Sequence, residues 1–172
     1  GLCGDPATLI HDVQGSGHVS PLAGQTVVIE GVVVGDFQEG DGDAFATDLD
    51  GFFVQEEDAD ADTDPATSEG VFVYAPGAAD VHVGDSVRVE GNVSEFFGMT
   101  QISNLTFVTC GTATPLPTVT EVEFPVSSVD DLEAFEGMYV TFPQELVISE
   151  FFNFDRFGEL VLANPIDPFG RH

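Results

Sequence analysis

Residues 51–74, GFFVQEEDADADTDPATSEGVFVY, constrain the fold more than any other stretch. Two apolar runs, Phe52-Phe53-Val54 and Val71-Phe72-Val73-Tyr74, are too short for helices and are rich in β-formers, so they read as strands. Between them lies a loop with an acid at every second position. Asp58, Asp60, Asp62 and Asp64 occupy positions 1, 3, 5 and 7 of a twelve-residue window, and Glu69 occupies position 12. That is the ligand spacing of a helix-loop-helix calcium site, set here between strands and with Thr63 at the position normally held by Gly. The five acids are therefore the expected ligands of a Ca2+ ion, with Glu56 and Glu57 adjacent.

The charge balance sharpens that expectation. The chain has 31 acids against three Arg (Arg88, Arg156, Arg171) and no Lys, and 13 of the acids lie between Asp36 and Glu69 with no basic residue among them. Crowded carboxylates repel unless a cation joins them. Such a surface also disfavours phosphate backbones, whose recognition is built mainly from Lys and Arg. Most of the acidity fits a halophilic protein, kept soluble in salt that screens its self-repulsion.

The two cysteines, Cys3 and Cys110, stand 107 positions apart without a metal-binding CxxC. An isolated pair of this kind reads as a disulfide of a secreted chain. By the chain-entropy model, such a link contributes roughly 4–5 kcal/mol. No apolar run approaches 18 residues, so no span is expected. The start at Gly1 fits a mature form whose signal peptide has been removed.

The first 110 residues punctuate into strands. Ala7–Val13 is one strand or one helical turn. Gly24–Val34 is β-branched and reads as a long strand bent or bulged at Gly31. Asp36–Asp50 is a Gly/Asp loop that leads into the acidic hairpin. Residues 85–91 alternate, with Val87 and Val89 inward and Arg88 and Glu90 outward. Phe96–Met99 reverses the chain into a fifth strand, Thr100–Val108. Five short strands, the first long and kinked, are the pattern of an OB-type barrel, its usual helix between strands three and four reduced to a turn at 77–82.

Residues 111–126 form a Pro/Thr linker. Ser127–Phe135 is the best helix candidate, capped by Ser128 with Asp131 three residues on and stopped at Gly137. The chain then repeats itself. Residues 135–142 echo 22–29, Leu146–Glu150 follow as Val32–Val34 do, and 158–163 stand where 51–55 stood. The expected architecture is all-β: an OB-type five-stranded barrel (1–110), the linker (111–126), and a partial second OB-like unit with one short helix (127–172).

Four runs carry a family resemblance: SPLAGQTVVIEGVVVGDFQ, the acidic hairpin itself, VGDSVRVEGNVSEFFGMTQI, and residues 126–165. Through them the chain resembles the YhcR-like OB-fold region of large secreted bacterial nucleases, over nearly its whole length. The resemblance implies a non-catalytic module of a nuclease architecture. The downstream endonuclease/exonuclease/phosphatase-type domain is absent from this sequence.

No catalytic motif contradicts that implication. His11, His18, His82 and His172 are scattered, without HxH or HExxH, and there is no GxSxG, P-loop or GxGxxG. Asn92-Val93-Ser94 and Asn104-Leu105-Thr106 match glycosylation sequons by chance. The function expected is a secreted, acidic, calcium-binding module that is not an enzyme and serves as a binding or spacer unit. An OB barrel can also offer aromatic platforms to single-stranded nucleic acid, here Phe52, Phe72, Tyr74 and Phe97 with Arg88, although the charge disfavours it. The alternative is an extracellular filament subunit, a homo-oligomer in which a neighbour's strands complete the partial second unit.

Overall fold

The computed structural model describes residues 1–38, 49–112, 115–154 and 160–164. Most of the expected acidic loop before the hairpin (39–48), together with Arg156, Arg171 and His172, lies outside the described residues. The first 112 residues contribute one short helix, α1 (Ile10–Gln14), and five strands. These are β1 (Thr26–Phe37), β2 (Gly51–Gln55), β3 (Gly70–Tyr74), β4 (Asp85–Phe96) and β5 (Met99–Thr112). They close into a ring in the order β1-β2-β3-β5-β4, with β4 paired back to β1. All neighbours are antiparallel except β3 and β5, which meet in parallel over Phe72↔Gln101 and Val73↔Ile102.

The ring closes because its strands carry β-branched residues on the inner face. Val27, Ile29, Val33, Phe52, Val54, Val71, Val73, Val87, Val89, Val93 and Ile102 pack together, and Ile10 and Val13 of α1 join them. Each such side chain is worth about 1.5–3 kcal/mol when fully buried. Residues 75–84 link β3 to β4 through turns, without a helix.

Two local expectations are corrected. The irregularity of β1 lies between Val33 and Gly35 in its pairing with β2, not at Gly31. Gly31 serves a close approach instead: a Cβ there would meet the Gln55 carbonyl oxygen at 2.7 Å, where β1 passes from β4 to β2. The second concerns Arg88, whose expected outward direction holds without bringing exposure. It leaves the inner face but is only 5% exposed, because the N-terminal segment lies over it. Its Nη1 donates to the Asp5 carbonyl (2.7 Å) and to Glu30 Oε2 (2.8 Å), and its Nη2 donates to the Pro6 carbonyl (3.0 Å). The Cys3–Cys110 disulfide is formed and pins that segment to β5.

The C-terminal part adds β6 (Thr120–Glu121), a 3-10 helix (Val129–Phe135), β7 (Val140–Thr141), β8 (Val147–Glu150) and β9 (Val161–Ala163). The expected helix is thus 3-10 rather than α. Its start is as expected: Ser128 Oγ accepts from Asp130 N, and Asp131 Oδ2 accepts from Ser128 N. Strands β6 and β7 pair in parallel, and β8 and β9 pair antiparallel.

Residues 118–140 lie as a strap across the hairpin side of the ring. Thr118 binds Asp58, the Glu136 carbonyl accepts from Ser68 Oγ (2.6 Å), and Glu136 Oε1 accepts from Thr100 N (2.8 Å). Tyr139 N donates to Gln55 Oε1 (2.7 Å). Gly70 and Gly137 meet backbone to backbone, and Gly137 turns there with φ 72°, a conformation glycine adopts at little cost.

Candidate cation site

The β2–β3 ladder continues one step past its strands, where Glu56 N donates to the Glu69 carbonyl (3.0 Å). A turn follows, with Asp60 N and Ala61 N both donating to the Glu57 carbonyl. Beyond it the carboxylates organise the loop by accepting nearby amides, a habit of short acidic side chains. Asp62 Oδ1 accepts from Asp64 N (2.7 Å), and Asp64 Oδ1 accepts from Ala66 N (3.0 Å). Glu69 Oε1 accepts from Asp62 N (2.8 Å), and Thr67 Oγ1 donates to Asp62.

Four of the five expected ligands, Asp58, Asp62, Asp64 and Glu69, line one cavity of about 370 Å3 between the hairpin and the strap. Asp60 does not. Its carboxylate gathers with those of Glu56 and Glu57, all within 4.8 Å of one another, beside the N-terminal segment. Asp58 holds the strap: its Oδ1 accepts from Thr118 N (2.7 Å) and its Oδ2 from Thr118 Oγ1 (2.6 Å). Those two bonds hold its pKa below the ordinary value.

One residue enters the site without a sequence signal. His11, on α1, places Nδ1 3.1 Å from Glu69 Oε2 and 4.0 Å from Asp62 Oδ2. The His11 and Glu69 side chains are both only 12% exposed. Burial alone would lower the imidazole pKa. The hydrogen bond to Glu69 and the charges of Glu69, Asp62 and Asp12 outweigh it, and the net shift is upward. Glu56 also lines the cavity but is itself buried, its Oε1 accepting from Ile10 N (2.5 Å) at the start of α1. Desolvation pushes its pKa up to about 7, and the charges of Glu57, Glu69 and Asp60 add to that. Glu57 is also raised, by burial first.

The residues considered for a nucleic-acid platform do not share a surface. Phe52 is fully buried against Phe107, Phe72 is 3% exposed and packs on Phe53, and Arg88 is held by Glu30. Tyr74 is partly open, and Phe97, at the β4–β5 turn, is fully in solvent.

Comparison with known proteins finds no protein-family model, no curated protein and no solved structure that matches the chain.

Proposed function

We propose that the chain is a non-catalytic, calcium-binding OB-type module of an exported protein, serving as a binding or spacer unit. The ring order β1-β2-β3-β5-β4, with its parallel β3–β5 contact, supports the OB-type reading. The Cys3–Cys110 bond fits an oxidising compartment. The calcium reading rests on one observation: Asp58, Asp62, Asp64 and Glu69 line a single cavity. Calcium takes six to eight oxygens in flexible geometry, which four carboxylates, loop carbonyls and water can supply. The test is a thermal melt after EDTA, repeated with added Ca2+. The melting temperature is expected to rise with Ca2+ in the wild type and not in Asp62→Asn/Glu69→Gln. An unchanged wild-type melt refutes the reading.

A second reading, self-association through the C-terminal strands, is favoured by the exposure of Ile148 (56%), Phe151 (71%) and Phe152 (86%) around the two-stranded β8–β9 sheet. A monodisperse monomer by light scattering, at high salt and with Ca2+, removes it.

A further inference from the structure

We propose that His11 Nδ1, Asp62 Oδ2 and Glu69 Oε2 form a site for a divalent first-row transition cation, with Zn2+ as its probe. The proposal rests on the hairpin being a cation site and adds to it a nitrogen ligand and a second class of metal. Calcium takes oxygen donors, whereas a partly buried imidazole beside two carboxylates is a mixed nitrogen and oxygen set, which suits zinc and its neighbours.

The geometry carries it. The three donor atoms lie within 4.8 Å of one another and come from separate elements, α1 and the β2–β3 hairpin. Tetrahedral zinc with bonds of about 2.0–2.1 Å sets its ligands about 3.3–3.5 Å apart. The imidazole nitrogen stands 3.1 Å from Glu69 and 4.0 Å from Asp62, so each distance is within roughly 0.7 Å of the tetrahedral value. Both carboxylates are already aimed. Glu69 Oε1 is tied to Asp62 N and Asp62 Oδ1 to Asp64 N, while the second oxygen of each faces the imidazole, that of Asp62 also accepting from Thr67 Oγ1 (3.1 Å). Outer hydrogen bonds of this kind orient ligands for a metal. The cavity beside them leaves room for water in the remaining position.

Calorimetry with ZnCl2 and, separately, with CaCl2 on the whole chain tests this, with imidazole 15N shifts followed in the same zinc titration. Expected are one zinc per chain, a zinc-dependent shift of His11 nitrogens, and a loss of at least about 10-fold in zinc affinity in His11→Ala. Calcium affinity should change by less than about 3-fold in His11→Ala, and His82→Ala should leave both metals unaffected. The shift is read on the wild type, so a variant that fails to fold does not shelter the proposal. Zinc that leaves the His11 nitrogens unmoved, or zinc affinity equal in His11→Ala, overturns it. If calcium still binds and is lost in Asp62→Asn/Glu69→Gln, only the transition-metal site falls. If neither metal binds, the calcium reading falls with it.

Discussion

Replacing Arg88 by Met should destabilise the protein by about 2–3 kcal/mol, for reasons that lie in what its guanidinium joins. Arg88 is 5% exposed, and its three donated bonds reach Glu30 and the carbonyls of Asp5 and Pro6. Met keeps the length of the stem and removes all three. Among the described residues, Glu30 would then keep only Gly4 N (2.9 Å) as a hydrogen-bond partner. Breaking a fully buried pair costs about 3–5 kcal/mol. Glu30 retains 22% of its side-chain exposure, and the Asp5 and Pro6 carbonyls belong to exposed residues that water can reach. Both facts move the cost to the lower end of that range or just under it. For a chain of this size, about 2–4 °C of melting temperature accompanies each kcal/mol, so a drop of roughly 4–12 °C is expected. The double variant Glu30→Met/Arg88→Met removes both charges and should return to within about 1 kcal/mol of the wild type. Urea denaturation of the four proteins completes the cycle. An Arg88→Met melt within 2 °C (roughly the width left for a surface substitution) would refute the reasoning. So would a double variant no more stable than either single one.

Two further perturbations address the strap and the buried acids. In Gly70→Ala the new Cβ would meet the Gly137 carbonyl group and, at 2.6 Å, Met138 N, all rigid backbone. Overpacking of this kind costs about 1–3 kcal/mol, and faster proteolysis within 115–126 should accompany it; wild-type cleavage kinetics would exclude strap release. Glu56 has a folded pKa of about 7 against an ordinary 4.5, so the folded state holds its proton more tightly than the unfolded chain does. Its contribution to stability is therefore greatest below about pH 4.5 and is lost as pH rises through about 7, by up to about 3 kcal/mol. Chemical denaturation from pH 5 to 8 should show stability falling in the wild type and a flatter profile in Glu56→Gln, whose amide oxygen still accepts from Ile10 N. Parallel profiles would mean that Glu56 does not titrate in this range.

What was legible in the sequence was whatever depends on neighbours along the chain. Short apolar runs located β2 and β3, alternation located β4, the Ser128/Asp131 pair located a helical start, and two cysteines left one pairing. The long-range consequences were not legible. Alternation told which face of the sheet Arg88 leaves by, but not that residues 5 and 6 would lie over it. The calcium-loop spacing grouped five acids, but the spacing does not tell how the loop turns between paired strands. Between paired strands, the turn at Glu57–Ala61 sends Asp60 to the Glu56/Glu57 side and leaves the others facing the strap. His11 lies 58 positions from Glu69, and no local pattern announces the contact.

The internal repeat shows most plainly what local pattern does and does not determine. In the ring, β1 pairs antiparallel with β2 and slips register between Val33 and Gly35; in the C-terminal part, β8 pairs antiparallel with β9 and slips between Ile148 and Glu150. Each half thus holds an antiparallel pair with one register shift. The repeat does not bring a second core. Val32 and Val33 are fully buried because β4 covers the other edge of β1 and β3 that of β2, whereas β8 and β9 pair only with each other among the described residues, and Ile148, Val161 and Leu162 stay at least 41% exposed. Burial comes from the strands that close the ring, not from the strand that is buried. A chemically similar strand pair is therefore a core element in one half of the chain and an open apolar edge in the other.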